Sequence, residues 1–395
     1  MRIYRLAGKF PLNPTKINHG ILPTLYYISR ELINLGLEEY IICHGQASLK
    51  NPPLKGINFQ FVSRPYDIQS LLKIIDLWKT VPPTLVHGHG SDALSYAILK
   101  SIKAKDAPLV THFHEVGKKA ASMTVPPIND FKGFLKMSLW YYMRLPPREK
   151  FIAEVSDKIL AVSKQVANDI VRIYNISKKK IEVVYNGVEV ELFTPKNKKE
   201  SKKLLGLSGK KVILYVGAFT FRKGINYLIE GFRLLLKMYK EPIVLLLIGG
   251  VPRWYRSHIY WAYLEKWTSD LKDKIIIKNA IPHHSLPFYY NSADALVLPS
   301  IEEPFGKVAL EALSCKTPVV ISKNTGVAEI LTHKETCLLI KPKDPYSLAD
   351  SLYELLNNPM LSERIAEKGA IYVRENYNWR KVSERILRIY QNTVH

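Results

Sequence analysis

The stretch ALVLPSIEEPFGKVALEALSCKTPVVI, residues 295–321, holds a complete strand–loop–helix–strand unit. Ala295–Leu298 is a short apolar run, the pattern of a strand buried on both faces. Pro299 ends it. Glu302 and Glu303 lie on the next loop, and a helix starts near Phe305 or Gly306. Pro318–Ile321 reads as the next strand. Two strands joined through a helix form a βαβ unit, which implies a parallel sheet.

The same alternation extends outward in both directions. In the second half Val212–Val216, Ile243–Ile248, Ile275–Ile277 and Cys337–Ile340 read as further strands with helices between them. In the first half the strands are Ile3–Leu6, Tyr40–Cys43, Phe59–Val62, Thr84–His87, Pro108–Phe113, Lys158–Val162 and Ile181–Tyr185. Leu22, Leu25, Ile28, Leu32 and Leu35 recur at helical spacing, with Gly36 as the stop. Asp67–Trp78 and Asp92–Lys103 read as helices. Residues 196–211 contain seven lysines, one glutamate and two glycines, which reads as a solvated linker. The expectation is an α/β chain with two Rossmann-like doubly wound domains, 1–193 and 194–376, facing across a cleft. A length of 395 residues fits two domains at about 150 residues each. In open parallel sheets ligands bind at the carboxyl ends of the strands, so the chemistry is sought there.

Composition narrows the function classes. Hydrophobic residues make up 47% and charged residues 23%, which excludes a disordered or collagen-like chain. No apolar run is long enough for a membrane span, and the N-terminus lacks the pattern of a secretory signal. Cys43, Cys315 and Cys337 are far apart and form no CxxC, so neither a disulfide framework nor a cysteine zinc site is expected. The reading is a cytoplasmic protein. The net charge of +22 favours anionic partners: nucleic acid, an anionic membrane face or phosphorylated small molecules. No RRM, KH, helix-turn-helix or zinc-finger pattern occurs, which argues against nucleic acid.

Several local patterns carry chemistry. Gly88-His-Gly-Ser-Asp-Ala93 fits GxGxxA, with Glu115 as the later acid of a dinucleotide fingerprint. That fingerprint normally begins a domain, and here some 85 residues precede it, so a tight strand-to-helix turn is the plainer reading. A nicotinamide oxidoreductase is kept as the alternative. His87 and His89, and His112 and His114, are HxH pairs at two strand ends, and alternation puts each pair on one face. Such pairs can ligate a metal, but a matching set of carboxylates is missing, so no metal is expected. No Asp-x-Asp occurs, so a diphosphate would be held by protein cations and helix dipoles and not by a bound divalent ion. GxxxxGK[ST] is absent too.

The loop and helix of the opening stretch supply those groups. The first N–H groups of a helix are unpaired and carry partial positive charge, so Gly306, Lys307 and Val308 form an anion site. Glycine at 306 lets a phosphate approach the backbone closely. Glu311, one to two turns inside the helix, can grip vicinal hydroxyls, and Glu303 can grip a second polyol on the other side. Gly217-Ala-Phe-Thr-Phe-Arg222-Lys223-Gly224 adds two cations at a strand-to-helix turn. Phe131–Leu145 is apolar and aromatic with Lys132, Lys136 and Arg144 interleaved. It reads either as an interfacial helix for an anionic membrane or as an ordinary domain helix.

Together these pieces resemble the family 4 retaining glycosyltransferases, with the GT-B fold, over nearly the whole chain. Glu303-Pro-Phe-Gly-Lys-Val-Ala-Leu-Glu311 looks like the family's E-x7-E motif. Thr317-Pro-Val-Val with Gly326-Val-Ala-Glu-Ile330 resembles the family's segment C-terminal to that motif. Val216–Gly224 resembles the phosphate-binding turn and Val184-Tyr-Asn-Gly-Val188 the interdomain segment. Tyr289–Asp294 fits the pattern before the motif, and Val110-Thr-His-Phe-His114 looks like the strand-end histidine.

The resemblance implies roles by position. Glu311 would hold the nucleotide ribose and Glu303 the donor-sugar hydroxyls. Lys223 would neutralise the leaving diphosphate together with Gly306–Val308, beside Phe305 and Arg222. His114 would sit near the donor sugar, and Gly20 would be the glycine of the first N-terminal loop. The C-terminal helix of 377–395 would pack back on the first domain. The implied reaction moves a sugar from a nucleotide diphosphate sugar to an acceptor hydroxyl with retention, without cofactor or metal. A glycan or lipid-linked acceptor and an anionic membrane surface are the expected partners. Two departures stand out: Ala218 replaces the family's arginine, and His19-Gly20 replaces paired glycines. A catalytically degenerate sugar-nucleotide binder is a further alternative.

Overall fold

The computed structural model describes residues 1–11, 20–44, 54, 56–62, 68–117, 145–252 and 257–394, with 257–259 as backbone alone. His19 and the basic aromatic stretch 131–145, apart from Leu145, lie outside the described residues. The chain divides into two compact units, 1–186 with 379–395, and 187–378. The border falls between Asn186 and Gly187, where the sequence reading put it at 193/194.

In the first unit the strands are β1 (Arg2–Ala7), β2 (Glu38–His44), β3 (Ile57–Val62), β4 (Leu85–His89), β5 (Leu109–Phe113), β6 (Lys158–Ala161) and β7 (Ile181–Val183). They form one parallel sheet ordered β3-β2-β1-β4-β5-β6-β7. The winding reverses between β1 and β4, and this opens a crevice at their carboxyl ends. One face is covered by the helices Leu22–Asn34 and Trp379–Val394. Trp379 stacks on Tyr27 at 5.9 Å between ring centroids, and Val382, Ile386 and Tyr390 fill the rest of that seam. Each such side chain contributes about 1.5–3 kcal/mol by leaving water. The other face is closed by the helices Ile68–Thr80, Leu94–Ser101 and Leu145–Val155, through Ile74, Leu77, Ala97, Leu99 and Ile152.

The second unit repeats the plan with β8 (Lys211–Ala218), β9 (Ile243–Gly250), β10 (Ile275–Lys278), β11 (Ala295–Leu298), β12 (Val319–Ser322) and β13 (Leu338–Ile340). The order is β10-β9-β8-β11-β12-β13, all parallel, with the switch between β8 and β11. Both sheets are therefore doubly wound, as the alternating pattern predicts. The central strands read as apolar runs because helices cover both their faces.

Two local readings are corrected. The lysine-rich run 196–211 is not a linker. It contains the helix Lys198–Leu204 inside the second unit, capped by Asn197, whose side chain accepts from the Glu200 N–H at 3.2 Å. Lys202 reaches Asp294 at 2.6 Å and anchors that helix to the start of β11. The segment Asp92–Lys103 is also not one helix. A single 3₁₀ turn, Gly90–Ala93, precedes the α-helix Leu94–Ser101.

Candidate functional site

The carboxyl ends of β8 and β11 bring the turn after one strand against the loop after the other. The turn after β8 is a short 3₁₀ segment, Phe221–Lys223, closed by Gly224 in the left-handed region at φ 68°. A Cβ on Gly224 would run into the carbonyl oxygen of Pro299, so only glycine lets the two segments close. The Ile301 N–H then donates to the Arg222 carbonyl at 2.9 Å. This places Lys223 beside Glu303, and the ammonium and carboxylate form an ion pair.

Glu303 sits on a loop fastened from its other side. The Glu303 N–H donates to the Asn324 carbonyl at 3.1 Å, Gly326 donates back to Glu303 at 2.9 Å, and Val327 to Phe305 at 2.8 Å. Gly306 comes next at φ 102° and caps the helix Lys307–Ser314. A side chain there would press on Leu298 Cδ2 at 2.7 Å. The glycine brings no side chain of its own to the first turn, and among the described residues no side chain caps the helix. Burial works to raise the Glu303 pKa, but the charges of Lys223 and Arg222 and the hydrogen bond from Lys223 outweigh it and hold the carboxyl below its usual range.

Glu311 lies on the second turn of the same helix, 6% exposed. Tyr290 donates its hydroxyl to one carboxylate oxygen at 2.7 Å, and His283 Nε2 lies 3.1 Å from the other. Burial again pushes its pKa up, and His283, Tyr290 and Lys307 together hold it down. Desolvation brings the Lys307 ammonium down to about 8, against the pull of Glu311. Phe193 packs its ring against His283 at 5.0 Å and Tyr290 at 5.7 Å. The result is two anionic carboxylates, one on the loop before the glycine-capped helix and one on its second turn, with Lys223 and Arg222 near Glu303. Such a set can hold hydroxyls at two places and an anion between them.

The second unit therefore gathers Arg222, Lys223, Glu303, Phe305, Gly306, Lys307, Val308 and Glu311. Sequence reasoning missed His283 and Tyr290. They come from the 3₁₀ segment His283–Ser285 and the helix Leu286–Ser292, and no spacing links them to Glu311. Ala218, where a cation is expected, has its carbonyl taken by the Tyr215 hydroxyl at 2.8 Å. The neighbouring positive charge at Glu303 comes from Arg222 instead.

The two remaining site candidates belong to the first unit. Gly20 adopts φ 74° just ahead of the helix Leu22–Asn34. His114 stands just past the end of β5, with His89 Nδ1 at 3.1 Å from its Nε2. His87, His89 and His112 are buried, and each has a ring nitrogen within 4.8 Å of the other two. These rings are stacked, at 4.5–5.8 Å with interplanar angles of 17–29°. Arg5 Nη1 lies within hydrogen-bond distance of His87 Nδ1 and His89 Nε2 and so occupies one nitrogen of each ring. The arrangement suits a stacked imidazole column better than a ligand set. At Gly88 a Cβ would clash with Ala93, which accounts for the GxGxxA spacing as a tight turn. Glu115 is exposed.

Two parallel doubly wound units are the architecture of the GT-B fold. Comparison with known sequences carries this to the family. Residues 20–192 match Glycosyltransferase Family 4, and residues 196–371 match Glycosyl transferases group 1. Each half of the chain thus matches a glycosyltransferase model. An uncharacterized glycosyltransferase of Methanocaldococcus jannaschii is 30% identical over 241 residues, 60% of each chain. The D-inositol 3-phosphate glycosyltransferase of Thermobifida fusca is 27% identical over 258 residues, 62% of this chain and 58% of the relative. The match thus spans about three fifths of the length of these curated relatives. Among solved structures, sucrose-phosphate synthase of Thermosynechococcus elongatus superposes with a TM-score of 0.79 at 19% identity, covering 99% of this chain and 98% of that one. Anabaena HepE, solved in complex with UDP-glucose, gives 0.74 at 17%, covering 99% and 100%. These likenesses establish the fold, and they do not favour the oxidoreductase alternative.

Proposed function

We propose that the protein is a retaining glycosyltransferase that moves a sugar from a nucleotide diphosphate sugar to an acceptor hydroxyl. The observation that carries this reading is the second unit's pair of carboxylates, Glu303 and Glu311, flanking the Gly306-capped helix with Lys223 beside them. Glu311, held anionic by Tyr290 and His283, takes the ribose hydroxyls. The N–H groups of Lys307 and Val308, with Lys223 and Arg222, take the diphosphate. Glu303 takes hydroxyls of the donor sugar and gives up part of its pairing with Lys223 as the phosphate arrives. The relatives' names support this: HepE was solved with UDP-glucose, and the Thermobifida relative is named as a glycosyltransferase.

The departing phosphate gains charge in the transition state, so a preorganised cation there speeds the step more than it tightens binding. In retention the leaving phosphate oxygen helps to deprotonate the incoming hydroxyl on the same face. Positioning and positive charge are then the protein's share, with no metal needed. The charge of +22 supports an acceptor presented on an anionic surface, such as a lipid-linked glycan. Nucleotide release from UDP-, GDP- and ADP-sugars in EDTA tests the reading. One donor is expected to be consumed, and Lys223→Ala is expected to lower turnover by about 10²–10³-fold. Turnover that is unchanged in Lys223→Ala, or that needs an added divalent ion, contradicts it.

A further inference from the structure

The first unit holds a buried cation that the donor site does not use. Arg5 lies on β1 with no exposure, on the same sheet face as Ile3 and Ala7, which pack in the apolar core. The Glu39 carboxylate of β2 pairs with it through Nε at 3.2 Å and through Nη2. Its Nη1 points the other way, to His87 Nδ1 at 2.9 Å and His89 Nε2 at 3.1 Å on β4. Tyr390, from the C-terminal helix, also meets His87 Nδ1. His89 Nδ1 in turn meets His114 Nε2 at 3.1 Å.

One assignment of protons satisfies these contacts together. A guanidinium only donates. His87 Nδ1 and His89 Nε2 are therefore bare acceptors, and the Tyr390 hydroxyl, which itself accepts from Arg5, shares the single lone pair of His87 Nδ1 with Arg5 Nη1. Neutral His89 then carries its hydrogen on Nδ1, and that hydrogen is the one that points at His114 Nε2. His114 Nε2 is thus an acceptor too, and the ring's own hydrogen is on Nδ1. His112, stacked on His114 at 4.3 Å and on His89 at 5.6 Å, holds the ring planes without entering the chain of bonds. Burial first, and the charge of Arg5 second, bring His112 down to about 3, and burial holds His87 and His89 well below the usual histidine range too, so these three rings stay uncharged around neutral pH.

We propose that Arg5 is a positioning residue that acts through His89 to hold His114 as a neutral imidazole with its proton on Nδ1. What His114 offers a ligand is then an N–H donor and not a basic nitrogen. A sugar hydroxyl oxygen as that ligand rests on the glycosyltransferase reading; the tautomer does not. The role given to His114 is therefore to orient and polarise, and it takes no proton from the acceptor.

Nitrogen-15 NMR of histidine-labelled protein at pH 7 reads the tautomers directly, with His114→Gln used for assignment. The expected result is pyrrole-type Nδ1 and pyridine-type Nε2 at both His89 and His114, and the reverse at His87. His89→Leu removes the donor, and His114 is expected to lose its single tautomer and show averaged shifts. His89→Asn restores a donor near the Nδ1 position and is expected to keep it. A wild-type His114 that is protonated on Nε2 or on both nitrogens overturns the proposal, whatever the variants do. So does an unchanged His114 signature in folded His89→Leu. The readout uses no donor sugar, so a failed donor assignment leaves it intact, and its own failure leaves donor binding unaffected.

Discussion

Glu311 shows how the partners of one side chain set its charge. Tyr290 and His283 fix both carboxylate oxygens and keep the group anionic in a buried place. On the proposed reading, Glu311→Ala removes the acceptor for the ribose hydroxyls. A hydrogen bond to a charged group is worth about 1.5–3 kcal/mol, so donor affinity is expected to fall by about 10- to 150-fold in isothermal titration. A glycine matters as much by what it lacks. Gly224→Ala forces a methyl group against Pro299 in a left-handed backbone. A loss of several degrees in Tm is expected, at about 1–3 kcal/mol for the strain alone. An unchanged Tm would show that the β8 and β11 loops are not locked together. The two glutamates and the lysine were legible in the sequence because they sit in one short stretch and one short turn. His283 and Tyr290 were not, since a buried hydrogen bond across 28 or 21 residues leaves no local pattern.

At the level of elements, periodicity did most of the work. Strands covered on both faces must be apolar throughout, and β9, Ile243–Gly250, or β11, Ala295–Leu298, reads that way without ambiguity. The helix Lys198–Leu204 failed that test because its lysines hide it. What makes it a helix is the Asn197 cap, and what holds it is Lys202 on Asp294, 92 residues away. The last helix, Trp379–Val394, is amphipathic, and its buried stripe of Trp379, Val382, Ile386 and Tyr390 closes the core of the first unit. Ile386→Ala is expected to cost about 2–5 kcal/mol in a urea titration that monitors that unit. A cost below about 1 kcal/mol would mean that the helix is dispensable to it. Arg5 marks the limit of pattern reading on this face. It occupies a core position of β1 and survives there through Glu39, His87 and His89.

The whole molecule adds charge and its dependence on pH. Burial, opposed by the bonds from Tyr174 and Gly117, raises Glu149 to about 7. Because the folded pKa lies above the unfolded one, the native state binds the extra proton between about pH 4.5 and 7, and stability falls as pH rises across that window. Glu149→Gln removes this term, so its Tm relative to wild type is expected to rise from pH 5 to pH 8. A flat difference would mean that Glu149 titrates normally. Glu303 and Glu311 act in the opposite sense. Their lowered values contribute stability above the usual carboxylate range and lose it only as pH falls below.

Thermal melting of the wild type and Glu311→Ala in EDTA, against UDP-, GDP- and ADP-sugars, tests the central claim most directly. A donor at 100 times its dissociation constant adds about 2.7 kcal/mol to apparent stability. The account predicts that one nucleotide class raises the wild-type Tm without a divalent ion and that Glu311→Ala, measured from its own baseline, loses that rise. A rise that is kept in Glu311→Ala, or no rise with any sugar nucleotide, would contradict the assignment of this helix end as the donor site.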